Sequence, residues 1–98
     1  MAQSQFGNLH IGVFCCGHVH RHERPILLVT HETDGDWQFL CGDTDHYDAD
    51  DLFYLHLHHL LDVDPTLHDV ADLDLGWEAE RAEVASDWIK TKIGRPDG

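Results

Sequence analysis

Short runs of alternating apolar and polar residues recur along this chain, with turn residues between them. The clearest is Asp36-Trp37-Gln38-Phe39-Leu40-Cys41-Gly42, entered through Asp34-Gly35. On a pleat of period two, Trp37, Phe39 and Cys41 share one face, and Asp36, Gln38 and Leu40 take the other, so the Trp face is expected in the core. Asp34-Gly35 supplies the positive-φ geometry of a short hairpin, and the apolar run Ile26-Leu27-Leu28-Val29 just upstream is its antiparallel partner. Strands are predicted over 26–31 and 36–41.

The same alternation places a first strand over 9–16. Ile11, Val13 and Cys15 point one way and Phe14 and Cys16 the other, so it is buried on much of both faces, and Gly17 ends or bulges it. His18 to Arg24 reads as a polar connection, and Pro25 marks the start of the next strand. Between Leu52 and Val63 two periods compete. Phe53, Leu57, Leu60 and Leu61 follow helical spacing, whereas Leu55-His56-Leu57-His58 alternates like a strand. Helix is favoured, with Asp50-Asp51 at its positive end. Asp64-Pro65 offers a cap and a first-turn proline for a short helix from Pro65 to Ala71. From Trp77 to Lys92, the Ala and Glu content with late Lys90 and Lys92 favours helix, while Ser86-Asp87 would suit a turn between strands 77–84 and 88–93; both readings stay open. Residues 1–8 and 94–98 read as loose tails. The expected fold is α+β: a small antiparallel sheet from 9–16, 26–31 and 36–41, with one or two helices from about 52–71 packed on one face, and a further strand or helix from the end of the chain.

Ninety-eight residues without a repeat or linker imply one domain with one core. Charge changes the picture more. Nineteen acidic against six basic residues leave a formal net charge of −13. Such a field repels nucleic acid and anionic membrane and accelerates encounter with a basic partner; it also serves solubility. No stretch has the length of a spanning helix, and Met1 to Gln5 has neither the basic start nor the apolar core of a signal peptide, so a cytoplasmic location is expected. Cys15, Cys16 and Cys41 cannot all pair, and vicinal cysteines rarely bridge, so reduced thiols are expected.

Ten histidines and three cysteines supply more metal ligands than a core requires. Cys16, His18, His31 and Cys41 would close a tetrahedral zinc site if the first strand pairs beside the hairpin, although their spacing matches no paired-ligand module and the thiols serve equally well as small buried hydrophobes. His56, His58 and His59, with His68 further on, form a histidine-rich helix edge on which His56 and His59 share a face. Transient metal capture or pH sensing is one reading, an ordinary solvated face the other. The acidic run containing Asp43, Asp45, Asp48, Asp50 and Asp51 lacks the glycine and the bidentate glutamate of a calcium loop, and reads better as a negatively charged rim for a basic partner. A Cys–His nucleophile pair, Cys16 with His18 or His31, has no orienting motif or oxyanion loop, and there is no phosphate cradle, serine elbow or zinc-protease helix, so no enzyme is expected. Trp77 and Trp88 are either partner anchors or core.

Taken together, Trp37-Gln38-Phe39-Leu40-Cys41-Gly42-Asp43, Asp64-Pro65-Thr66-Leu67 and Gly76-Trp77-Glu78-Ala79-Glu80-Arg81 resemble immunity protein family 33, a small bacterial domain also classed as a domain of unknown function. Its pattern is Gly-Trp-x-Phe followed by Gly-Asp-x-Asp, an Asp-Pro start to a leucine-containing helix, and a late Gly-x-x-x-x-Glu-Arg. Asp36 stands where the pattern has the first glycine, Gly42-Asp43-Thr44-Asp45 matches the acidic part, and Gly76 with Glu80-Arg81 matches the last. The likeness covers residues 26 to 82, and the histidines and cysteines of the first third fall outside the pattern. It implies a binding protein that neutralises a toxin delivered between competing bacteria, and it tilts the end of the chain toward extended structure.

Overall fold

The computed structural model describes residues 11–42 and 52–93. The expected loose tails 1–8 and 94–98 and the acidic run from Asp43 to Asp51 lie outside the described residues. In chain order the elements are β1 (Gly12–Cys16), α1 (Gly17–His20), β2 (Leu28–His31), β3 (Trp37–Leu40), β4 (Leu52–His56), α2 (Leu57–Val63), a 3₁₀ helix (Pro65–Val70), β5 (Trp77–Glu80) and β6 (Ile89–Lys92). They form a small α+β fold.

The β2–β3 hairpin forms as its sequence predicts. His31 pairs with Trp37 and Leu28 with Leu40. Gly35 takes a φ of 99°, a backbone state that a side chain would strain. The Asp34 carboxylate accepts from the Asp36 amide at 3.1 Å and closes the turn. Trp37 and Phe39 are buried, as the alternation requires.

The sheet is larger than the three strands expected, and not wholly antiparallel. Its order is β4-β1-β3-β2-β5-β6. β1 lies beside β3 in parallel, with Cys15 opposite Phe39, and every other pair is antiparallel. The strand with the most apolar pattern thus takes a central place, where both of its neighbours shield it, although the chain reaches β2 before β3.

One helix expectation is corrected and one open alternative is decided. Leu52 to His56 is not the first turns of a helix but the edge strand β4, paired along its length with β1 from Gly12–His56 to Cys16–Leu52. The helix begins only at Leu57. Trp77 to Lys92, open between a helix and a pair of strands, takes the second form as β5 and β6, with Trp77 opposite Lys92 and Glu80 opposite Ile89. Pairing with β2 gives β5 a row of partners that helical propensity alone cannot match. Gly76, at φ 80°, opens this last hairpin, and its amide donates to the His31 carbonyl at 2.6 Å.

On one face of the sheet, register aligns Phe53, Cys15, Phe39, Val29 and Ala79 in one row, and Leu55, Val13, Trp37, His31 and Trp77 in the next. The segment from Leu57 to Leu73 covers this face. Leu57, Leu60, Leu61, Leu67, Val70 and Leu73 are buried in the same cluster as Val13, Val29 and Phe39. Two polar contacts confirm the placement: the Leu73 carbonyl meets His31, and Asp72 meets Lys90. Burying one such Leu or Phe side chain contributes about 1.5–3 kcal/mol. The opposite face carries the edge-to-face pair Phe14–Tyr54, with ring centroids 5.0 Å apart.

Arg81, at the end of β5, joins the layers. It is 3% exposed. Its Nε and Nη2 both donate to the Ile26 carbonyl (3.1 and 2.9 Å), Nη1 donates to Thr66 Oγ1 and the Val84 carbonyl (2.9 and 3.1 Å), and Nη2 donates to Asp64 Oδ2 at 2.6 Å. Trp88 lies against the guanidinium, 4.1 Å from ring centroid to Cζ. Asp64 also caps the 3₁₀ helix, accepting from the Thr66 amide at 3.0 Å, so the expected Asp64-Pro65 start is observed. Among the described residues no helix is long and apolar enough to cross a membrane.

Candidate functional site

The four residues proposed for zinc do not gather as a set. Cys16 ends β1 and Cys41 follows β3, so the parallel pairing sets them side by side at one end of the sheet. His18, the second residue of α1, comes to 3.7 Å from Cys41 Sγ through its Nδ1. His31 does not join them. It sits at the hairpin end of β2, opposite Trp37, and four residues of extended chain separate Trp37 from Cys41, roughly 13 Å. Its ring stacks on Trp37 with centroids 3.8 Å apart, and Nδ1 lies 2.7 Å from the Leu73 carbonyl. A carbonyl can only accept, so Nδ1 carries the proton and His31 serves the packing between sheet and cover.

Cys16, Cys41 and His18 make a compact thiol–imidazole cluster. Burial pushes the Cys41 thiol up to about 11, the neighbouring Cys16 adds to the rise, and Arg24 opposes it. A thiol held protonated is the reverse of an activated nucleophile. At pH 8, Cys41 in the folded chain is expected to react with iodoacetamide about 100-fold more slowly than a free cysteine, the ratio of thiolate fractions at the two acidities. Mass spectrometry of timed aliquots measures this. Labelling of Cys41 at the rate seen in urea would refute it.

The second histidine cluster is tighter than the sequence suggests. His56 is the last residue of β4, and His58 and His59 open α2. Ring centroids are 4.1 Å apart for His58–His59, 5.9 Å for His56–His58 and 6.2 Å for His56–His59. Among the described residues this is the one set of three or more such groups whose ligand atoms all lie within 4.8 Å of one another. His68, on the 3₁₀ helix, is not in the set. In a continuous helix His58 would point away from His56, since residues two apart do not face each other. The change from strand to helix after His56 brings all three together. The two competing periods around residues 55–58 were the signal for that break.

Trp77 and Trp88 are half-buried and pack against the core, Trp88 beneath Arg81. The pattern of the chain marks Asp64 only as a cap and Arg81 only as part of the resemblance; that the two meet in one ion pair is not legible from it. A cleft of about 480 Å³ opens beside them, lined by Val19, Ile26, Leu60, Val63, Pro65 and Val84 with Arg24 and Glu23 among its polar residues. The proposed acidic rim at Asp43, Asp45, Asp48, Asp50 and Asp51 lies outside the described residues. The acidic side chains that are placed include Asp62, Asp69, Asp74, Glu83 and Asp87, all exposed. Compared with known proteins, the chain matches no family model, no curated protein and no solved structure.

Proposed function

We propose that this chain is a binding domain that neutralises a basic protein partner, a bacterial toxin in the reading that its likeness to immunity protein family 33 suggests, by covering it with an anionic surface. The supporting observation is how the cations are used. Against a net charge of −13, Arg81 is spent inside the fold, while Arg21 and Lys90 pair with Glu23 and Asp72 at 3.3 and 2.8 Å. The exposed carboxylates of Asp62, Asp69, Asp74, Glu83 and Asp87 add to whatever Asp43, Asp45, Asp48, Asp50 and Asp51 present. Three of the six basic residues are held in ion pairs within the chain, and the carboxylates that outnumber them give a field suited to fast, salt-sensitive capture.

The test is association with the product of a neighbouring toxin-like gene. Changing Asp43, Asp45, Asp48 and Asp50 together to Asn is expected to weaken association by about ten-fold or more at low ionic strength and to leave the thermal midpoint unchanged, since rim charges act on the rate of encounter. Affinity that is untouched at low salt would remove the acidic-rim reading.

A second reading has one observation in its favour, the contact between Cys41, His18 and Cys16. A zinc ion held by those three would make this a small metal-binding domain. Elemental analysis of the purified chain before and after chelation decides it.

A further inference from the structure

We infer that His56, His58 and His59 form a binding site for one borderline divalent transition metal ion of the zinc, nickel and copper class. Three imidazoles whose ligand atoms lie within 4.8 Å of one another match the donor preference of these ions and not that of calcium or magnesium, which take oxygen. Metal–nitrogen bonds of about 2.0–2.1 Å around a tetrahedral centre place donor atoms roughly 3.3 Å apart. Rotation of side chains closes the remaining gap, because His56 and His59 are exposed and His58 is half-buried.

The backbone beneath them is fixed. His56 pairs with Gly12 on β1, and the Leu57 amide donates to the Ile11 carbonyl at 2.9 Å. The Leu57 side chain, fully buried, pegs the junction between the histidines into the core. The turn from strand to helix therefore cannot swing away without uncovering Leu57, and the three rings start close together, so little ordering is required on binding. Two electrostatic effects oppose each other here. The amide dipoles of α2 disfavour a cation beside its first turn, but that helix has only seven residues and His56 and His59 are exposed, so solvent screens the effect. The protein's net charge of −13 acts the other way and concentrates cations at its surface. Three protein nitrogens leave at least one coordination position for water or for a group from a partner, as in zinc sites with an open position.

The experiment is a calorimetric titration of zinc chloride into the full-length chain, repeated with cobalt(II) and followed by absorption. One ion per chain is expected. His56→Ala and His59→Ala should each lower affinity by about ten-fold or more, because disturbing even a hydrogen-bond partner of a metal ligand costs that much. His68→Ala should change nothing, and circular dichroism should show all three variants folded, as the substituted positions are exposed. Cobalt should bind without a thiolate charge-transfer band. Unchanged affinity in the His56→Ala/His59→Ala double variant, no heat of binding, or a thiolate band lost in Cys41→Ser would each overturn the assignment, the last by giving the ion to the thiol cluster.

Discussion

Arg81→Ala is expected to lower the unfolding free energy by about 3–5 kcal/mol, the cost of breaking a buried ion pair from one side. The guanidinium makes five polar contacts to four residues drawn from the lead-in to β2, the start of the 3₁₀ helix and the loop after β5. Alanine leaves the Ile26 carbonyl without either donor, leaves the Asp64 carboxylate without its countercharge where its side chain is only 12% exposed, and opens a void over the Trp88 ring. Small domains hold only about 5–15 kcal/mol in total, so the thermal midpoint should fall by roughly 15–25 °C. Arg81→Lys should recover less than half of the loss, because an ammonium cannot reach Ile26, Thr66, Val84 and Asp64 from one planar fork. Arg81→Ala and Asp64→Ala combined should be less damaging than the sum of their separate effects by about 1–3 kcal/mol. A loss below about 1 kcal/mol for Arg81→Ala by urea denaturation would show that the clasp is dispensable.

The second large effect is expected at the middle of the sheet. Phe39 is fully buried, paired with Cys15 on one side and Val29 on the other, with the Trp37 ring 6.0 Å away between centroids. Phe39→Ala should cost about 3–5 kcal/mol, combining lost transfer free energy with a cavity that two flanking strands prevent from collapsing. Phe39→Leu, which keeps most of the volume, should cost less than about 1.5 kcal/mol. Denaturation midpoints measure both, and the slope with denaturant should stay constant if only stability changes. Equal costs for the two variants would mean that the site is not close-packed.

The consequences for function run through the same frame. Arg81 ties the start of the 3₁₀ helix to the lead-in to β2, and so anchors the cover of which α2 is the first part. The histidine trio sits at the other end of α2, where that helix leaves the strand that closes the sheet beside β1. Variants at Arg81 therefore test the fold, while exchange of the exposed histidines or of the acidic rim tests binding on an intact frame.

The hairpin was legible in the chain because its signals are local. Asp34-Gly35 meets a positive φ, and the alternation of Trp37 and Phe39 identifies the buried face without knowledge of any other strand. The cap at Asp64 was legible for the same reason, since Asp-Pro-Thr carries its own hydrogen bond. The parallel β1–β3 pair and the strand character of Leu52 to His56 were not, and the last hairpin was legible only as one of two readings. Each depends on which strand lies alongside, and a segment of mixed period takes the structure that its neighbour rewards: β1 drew Leu52 to His56 into the sheet, and β2 did the same for Trp77 to Glu80.

The candidate sites divide in the same way. Composition alone determined that this is a strongly anionic chain with ten histidines and three cysteines, because charge and ligand inventory are sums over residues and ignore their arrangement. Which of those ligands meet was decided only by tertiary structure. Parallel pairing of β1 with β3 put Cys16 and Cys41 together, the antiparallel β2–β3 pair held His31 at the hairpin end opposite Trp37, and the end of β4 turned His56 toward His58 and His59. Distances between side chains far apart in sequence follow from strand register, and register is set by the burial of the whole core at once.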